Sequence, residues 1–453
     1  MYLIYFSGTY KDFRLPELDS LLELFGYNKE DVYSPSDYSD DSPFLLASFP
    51  SDQAVKEICS RAVLIKSVYK LWCKGSSWLE LFDGLQQLPE SFTHPYYAAD
   101  QSWRFDIVSY NKTLTAQEQE VFRLQFEPYM PFQGPIRMRE PTNIFSCVLH
   151  YKYGTDTILD LFLGTFVADG QRNTNARFDL KKRHYIGPTS TCAELASLMS
   201  NQILSRNGML VWDCFVGTGS LLVAAAAHGA VCVGSDIDMR VLKGLKKGKQ
   251  VGSIQQNFVQ YGLRQPDLLR MDLSVLPLRP RPIFDGILCD PPYGLRAGAR
   301  KTKTGVDANT PIDTHSANTM VYDADDVIVD MLDIAATFLC VGGRLTYLLP
   351  TFGAHGKEEV PRHPCFDLVA NSEDKLTQLI SRRLVTMKKV RAYEAGRKEE
   401  YKEVTRRSLK EFNLSYNDLM EMTVEANRSE KKTRPQRRER QRENAKKWEK
   451  AVK

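Results

Sequence analysis

None of the nine cysteines in this chain belongs to a C-x-x-C pair. An odd, scattered set argues against both a disulfide framework and a structural zinc site, and it suits a reducing compartment, cytosol or nucleus. No stretch has the uninterrupted apolar length of a membrane span. The amino terminus, Met1-Tyr2-Leu3-Ile4-Tyr5-Phe6, has no basic region and no small-residue cleavage site, so it reads as a first strand. No useful repeat is present. Net charge is only +4 over 453 residues, too little to announce nucleic-acid binding by itself. What the chain does have is a 43% apolar content, enough for ordinary cores in two or three domains.

The most informative stretch is Asp290-Pro291-Pro292-Tyr293, at the end of the apolar run Ile283 to Cys289, which reads as a buried strand. A carboxylate, a carbonyl fixed by rigid proline backbone and an aromatic ring together can grip a planar amine. The acid and the carbonyl accept from the NH2 group, and the ring stacks on the base. That geometry suits methylation of an exocyclic nitrogen, with Asp290, Pro291, Pro292 and Tyr293 as the catalytic set. Alone, the tetrapeptide reads equally well as a proline-stiffened turn. Cys289 beside it reads as a small buried strand residue.

Upstream, the apolar strand Leu210 to Asp213 enters a turn with Gly217 and Gly219 and leaves into an alanine-rich helix, the order of a nucleotide-binding crossover. A second strand ends in Asp236-Ile237-Asp238, which places an acid about twenty residues beyond the loop, where it can hold two ribose hydroxyls. A dinucleotide loop would have a third glycine where this chain has Leu222, and no Lys-Ser/Thr follows for a P-loop. A short loop without a phosphate cradle fits S-adenosylmethionine, whose sulfonium and amino acid tail favour a carboxylate such as Asp213. Singly, Asp213 also reads as a turn former and Asp236 as a helix cap.

Three motifs, Phe215-Val216-Gly217-Thr218-Gly219-Ser220, Gly234-Ser235-Asp236-Ile237-Asp238 and Asp290-Pro291-Pro292-Tyr293-Gly294, resemble those of the tRNA (guanine-N2) methyltransferase catalytic subunits, the eukaryotic enzymes that modify guanine 10. Tyr185-Ile186-Gly187-Pro188-Thr189-Ser190 is similar to that family's segment before the first strand. The match is strong from about 180 to 350 and looser in the amino-terminal third. One departure is Cys214, where the family usually has proline.

The resemblance implies an α/β fold, a Rossmann-like class I methyltransferase domain with a preceding α+β ferredoxin-like and THUMP region. It also implies a cofactor site at Tyr185, Thr189, Asp213, Phe215, Gly217, Thr218, Gly219, Asp236, Ile237, Asp272 and Asp290. For Asp272, an acceptor for the adenine amine and a loop-stabilising acid both remain open. The expected partners are tRNA and a small zinc-binding activator subunit, with no membrane and no metal held by this chain. A DNA amino-methyltransferase would share the catalytic residues. A non-catalytic RNA-binding scaffold would keep only the fold.

The expected organisation is 1–90, a ferredoxin-like α+β domain; 91–175, a THUMP domain that docks tRNA; 176–392, the methyltransferase domain; and 393–453, a charged tail. Periodicity by itself gives only α+β for the first two. Arg296, Arg300, Lys301 and Lys303, after the catalytic box, can pair with RNA phosphates and supply affinity without choosing sequence, with a solvated charged face as the alternative for each; contact with substrate is favoured for Lys301 and Lys303. They lie in the long polar stretch Arg296 to Asp325, expected to be a loop that closes over substrate. A helix over Met239 to Lys249, a turn at Gly342-Gly343 and an antiparallel pair, Phe366 to Ala370 with Arg383 to Val390, complete the expected catalytic domain.

Overall fold

The computed structural model describes residues 1–246, 249–292, 300–302, 319–352, 359–376 and 380–411. The chain divides into two compact units, Met1–Arg177 and Phe178–Lys453.

In the first unit, β1 (Tyr2–Phe6) leads to α1 (Arg14–Phe25), which ends at Gly26 in the left-handed region at φ 78°. There follow β2 (Phe44–Ala47), α2 (Asp52–Cys59) and β3 (Ile65–Gly75). Then come α3 (Trp78–Gln86), α4 (Glu90–Tyr97), β4 (Trp103–Tyr110), α5 (Ala116–Leu124), β5 (Asn143–Tyr151) and β6 (Ile158–Asp169). The strands form one sheet in the order β2-β1-β3-β6-β5-β4. β3 pairs with β6, so the sheet continues across the joint expected near residue 90. Leu18, Leu21 and Leu22 of α1 and Val55 and Ile58 of α2 pack with Ile4, Phe6 and Val68 of the sheet. α5 opens on the expected capping box, with Thr115 and Glu118 satisfying each other's backbone N–H. α3 and α4 fall outside the elements read from periodicity. α3 buries only Leu81 and Leu85, too short a stripe to register, and α4 carries Pro95.

The second unit begins with α6 (Ala193–Gln202), β7 (Leu210–Asp213), α7 (Ser220–Ala227), β8 (Val231–Asp236), α8 (Ile254–Gln260), β9 (Asp267–Arg270) and β10 (Phe284–Cys289). A short hairpin, β11 (Arg300–Thr302) with β12 (Thr319–Val321), precedes α9 (Ala324–Phe338) and β13 (Leu339–Phe352). β14 (Phe366–Lys375), β15 (Ile380–Lys389) and α10 (Lys398–Glu411) complete it. The sheet order is β9-β8-β7-β10-β13-β15-β14, parallel up to β13 and antiparallel beyond. This is the expected doubly wound sheet, with its order reversing between β7 and β10, and in such sheets ligands bind at the carboxyl ends of the strands there. Trp212 on β7 is fully buried and stacks on Phe284 of β10 at 4.9 Å between ring centroids.

Three expectations change. The helix expected over Met239 to Lys249 stops at Leu242, because Gly244 takes φ 65° and turns the chain. Gly342-Gly343 lies within β13 rather than in a turn between α9 and a later strand. A Cβ on Gly343 would come 2.7 Å from the Asp285 carbonyl oxygen, so glycine there permits close strand approach. Beyond residue 392, α10 docks through Tyr401, 1% exposed, and Leu409 into the same core as β13 and β15. Among the described residues no helix is long and apolar enough to cross a membrane.

Under α10, His363 is buried, accepts from the Cys365 N–H at 3.2 Å and sits 5.3 Å from the Tyr401 ring. Burial, aided by the Lys389 charge, lowers its pKa to about 4. The folded state therefore resists a proton that the unfolded chain takes up near its ordinary pKa of about 6.5. Stability that is fully present above that pH is lost progressively on acidification toward 4, by an amount on the order of 3 kcal/mol. Melting curves across this window should show the loss in the wild type and a shallower pH dependence in His363→Gln. Parallel pH profiles would refute the assignment.

Candidate active site

The end of β7, the glycine loop, the end of β8 and the end of β10 meet at the carboxyl edge of the sheet. β7 pairs in parallel with both β8 and β10, which brings Asp213, Asp236 and Asp290, each at or just past a strand end, to one place. Asp213 is 1% exposed and accepts from the Phe215 N–H at 3.0 Å. Burial pushes its carboxyl well above the usual carboxylate range, and the negative charges of Asp290 and Asp236 push the same way, against the Phe215 N–H. Asp236 is also raised by burial, opposed by the N–H groups of Asp238 at 2.9 Å and Gly217 at 3.1 Å. Asp236 thus ties the tip of β8 to the glycine loop.

The loop itself needs its glycines. Gly217 and Gly219 take φ 48° and 79°, conformations that side-chain-bearing residues rarely adopt. A Cβ on Gly217 would meet only the Phe215 carbonyl oxygen, at 3.8 Å, so that side of the loop is open. Gly219 packs on Ile254 of α8, where an added Cβ would lie 2.7 Å from Cγ2. Thr218 shares a hydrogen bond with Ser190 at 2.6 Å, and Ser190 accepts from the Gly187 N–H at 2.8 Å, which fastens the segment before α6 to the loop.

Tyr185 is buried, with its hydroxyl donating to the Val241 carbonyl at 2.8 Å and its backbone clamped by the Asn257 amide. Phe215 packs against Tyr322 and Val327. Ile237 is half-buried behind Asp236, whereas Thr189 is exposed. Thr191, not singled out from the sequence, turns its hydroxyl toward Asp290 at 3.4 Å. Ser190 and Thr191 were legible only as neighbours of Thr189, because nothing in a Thr-Ser-Thr run tells which hydroxyl faces the site.

Asp272 is engaged by protein. Its Oδ1 accepts from the N–H and hydroxyl of Ser274, and its Oδ2 accepts from the Thr302 N–H at 2.6 Å. Burial would raise its carboxyl, but the bonds from Thr302 and Ser274 outweigh that and hold it below its ordinary value. It therefore braces the β11–β12 hairpin here. Lys301, expected on RNA, lies over the Tyr322 ring at 4.7 Å and 3.9 Å from Asp326. Arg300 is exposed on β11. Pro291 is buried and Pro292 half-buried, while Tyr293, Arg296 and Lys303 lie outside the described residues. Among the described residues no group of three His, Cys, Asp or Glu side chains could hold a metal ion. Cys289 is fully buried and its thiol is pushed up by burial, first, and by the Cys214 thiol beside it, as expected of a packed strand residue.

Comparison with known proteins agrees with this architecture. Residues 1–172 match the model of the Tmrp11 THUMP N-terminal domain, and residues 181–306 match that of the RMKL-like methyltransferase domain. The chain is 36% identical to tRNA (guanine(10)-N(2))-methyltransferase TRMT11 of Mus musculus over 415 residues, 87% of this chain and 89% of that protein. It is 36% identical to the Homo sapiens protein of the same name over 418 residues, with the same coverage. The chain belongs to the tRNA (guanine(10)-N(2))-methyltransferase family. Within the family its likeness extends to Schizosaccharomyces pombe, at 32% identity over 432 residues, 86% of this chain and 90% of that protein. The glycine loop, the β8 acid and the start of the Asp-Pro-Pro-Tyr box all fall within the matched methyltransferase domain.

Proposed function

We propose that the chain is the catalytic subunit of a tRNA methyltransferase that moves a methyl group from S-adenosylmethionine to the exocyclic N2 of guanine 10. The observation that carries this reading is the convergence of Asp213, Asp236 and Asp290 around an open glycine loop. Carboxylates gathered against their own repulsion favour a ligand with positive charge, and the loop leaves room for close backbone approach. A nicotinamide dinucleotide or a nucleoside triphosphate would add negative charge to that place. Family membership supports the tRNA substrate over DNA, and an intact set of strand-end acids favours an enzyme over a scaffold.

When bound, S-adenosylmethionine supplies a methyl group on a positively charged sulfur. Asp236 would hold the ribose hydroxyls with acceptor capacity left beside its two N–H bonds. Gly217, Thr218 and Gly219 would form the floor, and Tyr185, Thr189, Phe215 and Ile237 the walls. Asp290 would accept from one N2 hydrogen of guanine and a proline carbonyl of the box from the other. Drawing on both hydrogens pulls the nitrogen from planarity and frees its delocalised lone pair for in-line attack. Thr191 orients Asp290. Tyr293 would stack on the base, and Arg296, Arg300 and Lys303 would neutralise phosphates. The N2 proton leaves through Asp290 to solvent, so no strongly shifted base is needed.

The resemblance further supports a small zinc-binding activator subunit, with the amino-terminal unit docking tRNA. All nine cysteines are free thiols, which suits a cytoplasmic or nuclear enzyme. The deciding experiment is mass mapping of nucleosides in tRNA incubated with the purified protein, activator and isotope-labelled cofactor. Label at N2 of guanine 10 is the expected result. Label only on adenine or cytosine, or none, would reject the function.

A further inference from the structure

We propose that Arg183 binds the carboxylate of the cofactor's amino acid portion, forming an anion subsite with the first turn of α7. This rests on S-adenosylmethionine as the cofactor. Arg183 stands on the segment leading to α6 and is 7% exposed. Its Nη1 donates to the hydroxyl of Ser220, the first residue of α7, at 2.8 Å. Its Nε and the hydroxyl of the neighbouring Tyr261 are both buried without a well-formed hydrogen bond, although the two groups lie close enough to interact electrostatically.

A guanidinium keeps its charge, and burying that charge without an anion is strongly unfavourable. Among the described residues no carboxylate forms an ion pair with Arg183; its hydrogen-bond partner is a neutral hydroxyl. Burial accordingly lowers its pKa, with Tyr261 opposing the shift and Asp179 contributing less. The cation is also placed where it ought to be unfavourable. A helix amino terminus carries partial positive charge and free N–H groups, so a guanidinium beside Ser220 adds like charge to like. An anion between them would resolve both problems, by pairing the guanidinium and accepting from the first turn.

The ligand's chemistry supplies that anion. S-adenosylmethionine carries cationic centres at sulfur and at the amino group and one carboxylate. Asp213, Asp236 and Asp290 offer negative charge on one side of the glycine loop. At the loop's carboxyl end Thr218 and Ser220, with their hydroxyls 3.5 Å apart, lead to Arg183. The loop therefore has opposite charge at its two ends, as a zwitterion requires.

The test is calorimetric titration of the full-length protein, with the activator if it is needed for solubility. Three probes are compared with S-adenosylmethionine: the first two are S-adenosylhomocysteine, which has the carboxylate, and 5′-methylthioadenosine, which lacks the whole amino acid end. Decarboxylated S-adenosylmethionine, which lacks only the carboxylate, is the third. The wild type should bind decarboxylated S-adenosylmethionine at least about tenfold more weakly than S-adenosylmethionine. Arg183→Gln should weaken S-adenosylmethionine and S-adenosylhomocysteine by about that factor and leave the two carboxylate-free probes unchanged; Arg183→Lys should recover part of the loss. Equal loss for all probes in Arg183→Gln would make the residue structural and overturn the subsite. So would a wild type indifferent to the carboxylate, a result that does not depend on the variants folding. A wild type that binds none of the probes would instead reject the cofactor itself.

Discussion

Asp290→Asn is expected to lower methyl transfer to tRNA by about 10²–10³-fold, the range seen when one aimed transition-state contact is lost. The amide is nearly the same size but turns an acceptor oxygen into a donor NH2. Facing the N2 hydrogens of guanine, that donor repels where the carboxylate attracts. Thr191 can still hydrogen-bond the oxygen that remains, so the loop after β10 keeps its anchor. Cofactor binding should change much less than turnover, and removing one of three mutually repelling acids should lower the Asp213 pKa. Turnover of labelled methyl into tRNA and calorimetry with S-adenosylhomocysteine separate the two effects. Wild-type turnover in the variant, or an equal loss in both measurements, would remove Asp290 from its role on the amine.

The second large effect concerns α10 and the core it joins. Tyr401→Ala is expected to destabilise the unit by about 3–5 kcal/mol, the usual range for truncating a fully buried aromatic ring. The ring is 1% exposed and packs 5.3 Å from His363 and 5.4 Å from Tyr393. A chain ending at residue 392 loses this ring together with Leu409 and the Lys402 ammonium, which lies 2.5 Å from Asp330. Asp330 also accepts from the Tyr322 hydroxyl, and Tyr322 lies beneath Lys301 of the β11–β12 hairpin. Truncation should therefore reduce solubility and loosen the hairpin next to the catalytic box. Denaturant unfolding and limited proteolysis read both consequences. A truncated chain as stable and as protease-resistant there as the full one would show that α10 is a passive extension.

Some of this was written in local sequence. An apolar run closed by Asp-Pro-Pro-Tyr declares a strand end with an acid on it. Gly217 and Gly219 declare a turn at positive φ, because few other residues adopt it. The capping box at Thr115 and Glu118 appears as read, since both partners lie within one helical turn. α10 was different. Its composition is charged, and the burial of Tyr401, Thr405 and Leu409 on one side of it depends on α9 and β13 being present to receive them. Lys301 lies against Tyr322 and Asp326, and Asp272 takes the second of its two expected roles, bracing a loop through Ser274 and Thr302; spacing could not choose, because those partners are set by folding.

The sequence by itself determined the class of chemistry: short-range motifs fix which residue types stand at strand ends, and strand ends in a doubly wound sheet meet at one edge. Only the tertiary structure decided which charged side chains are buried, which hydroxyl of Ser190 and Thr191 meets which group, and that Arg183 lies against α7 bonded to a neutral hydroxyl. Those properties depend on burial and on contacts between residues distant in the chain, and no local pattern encodes them.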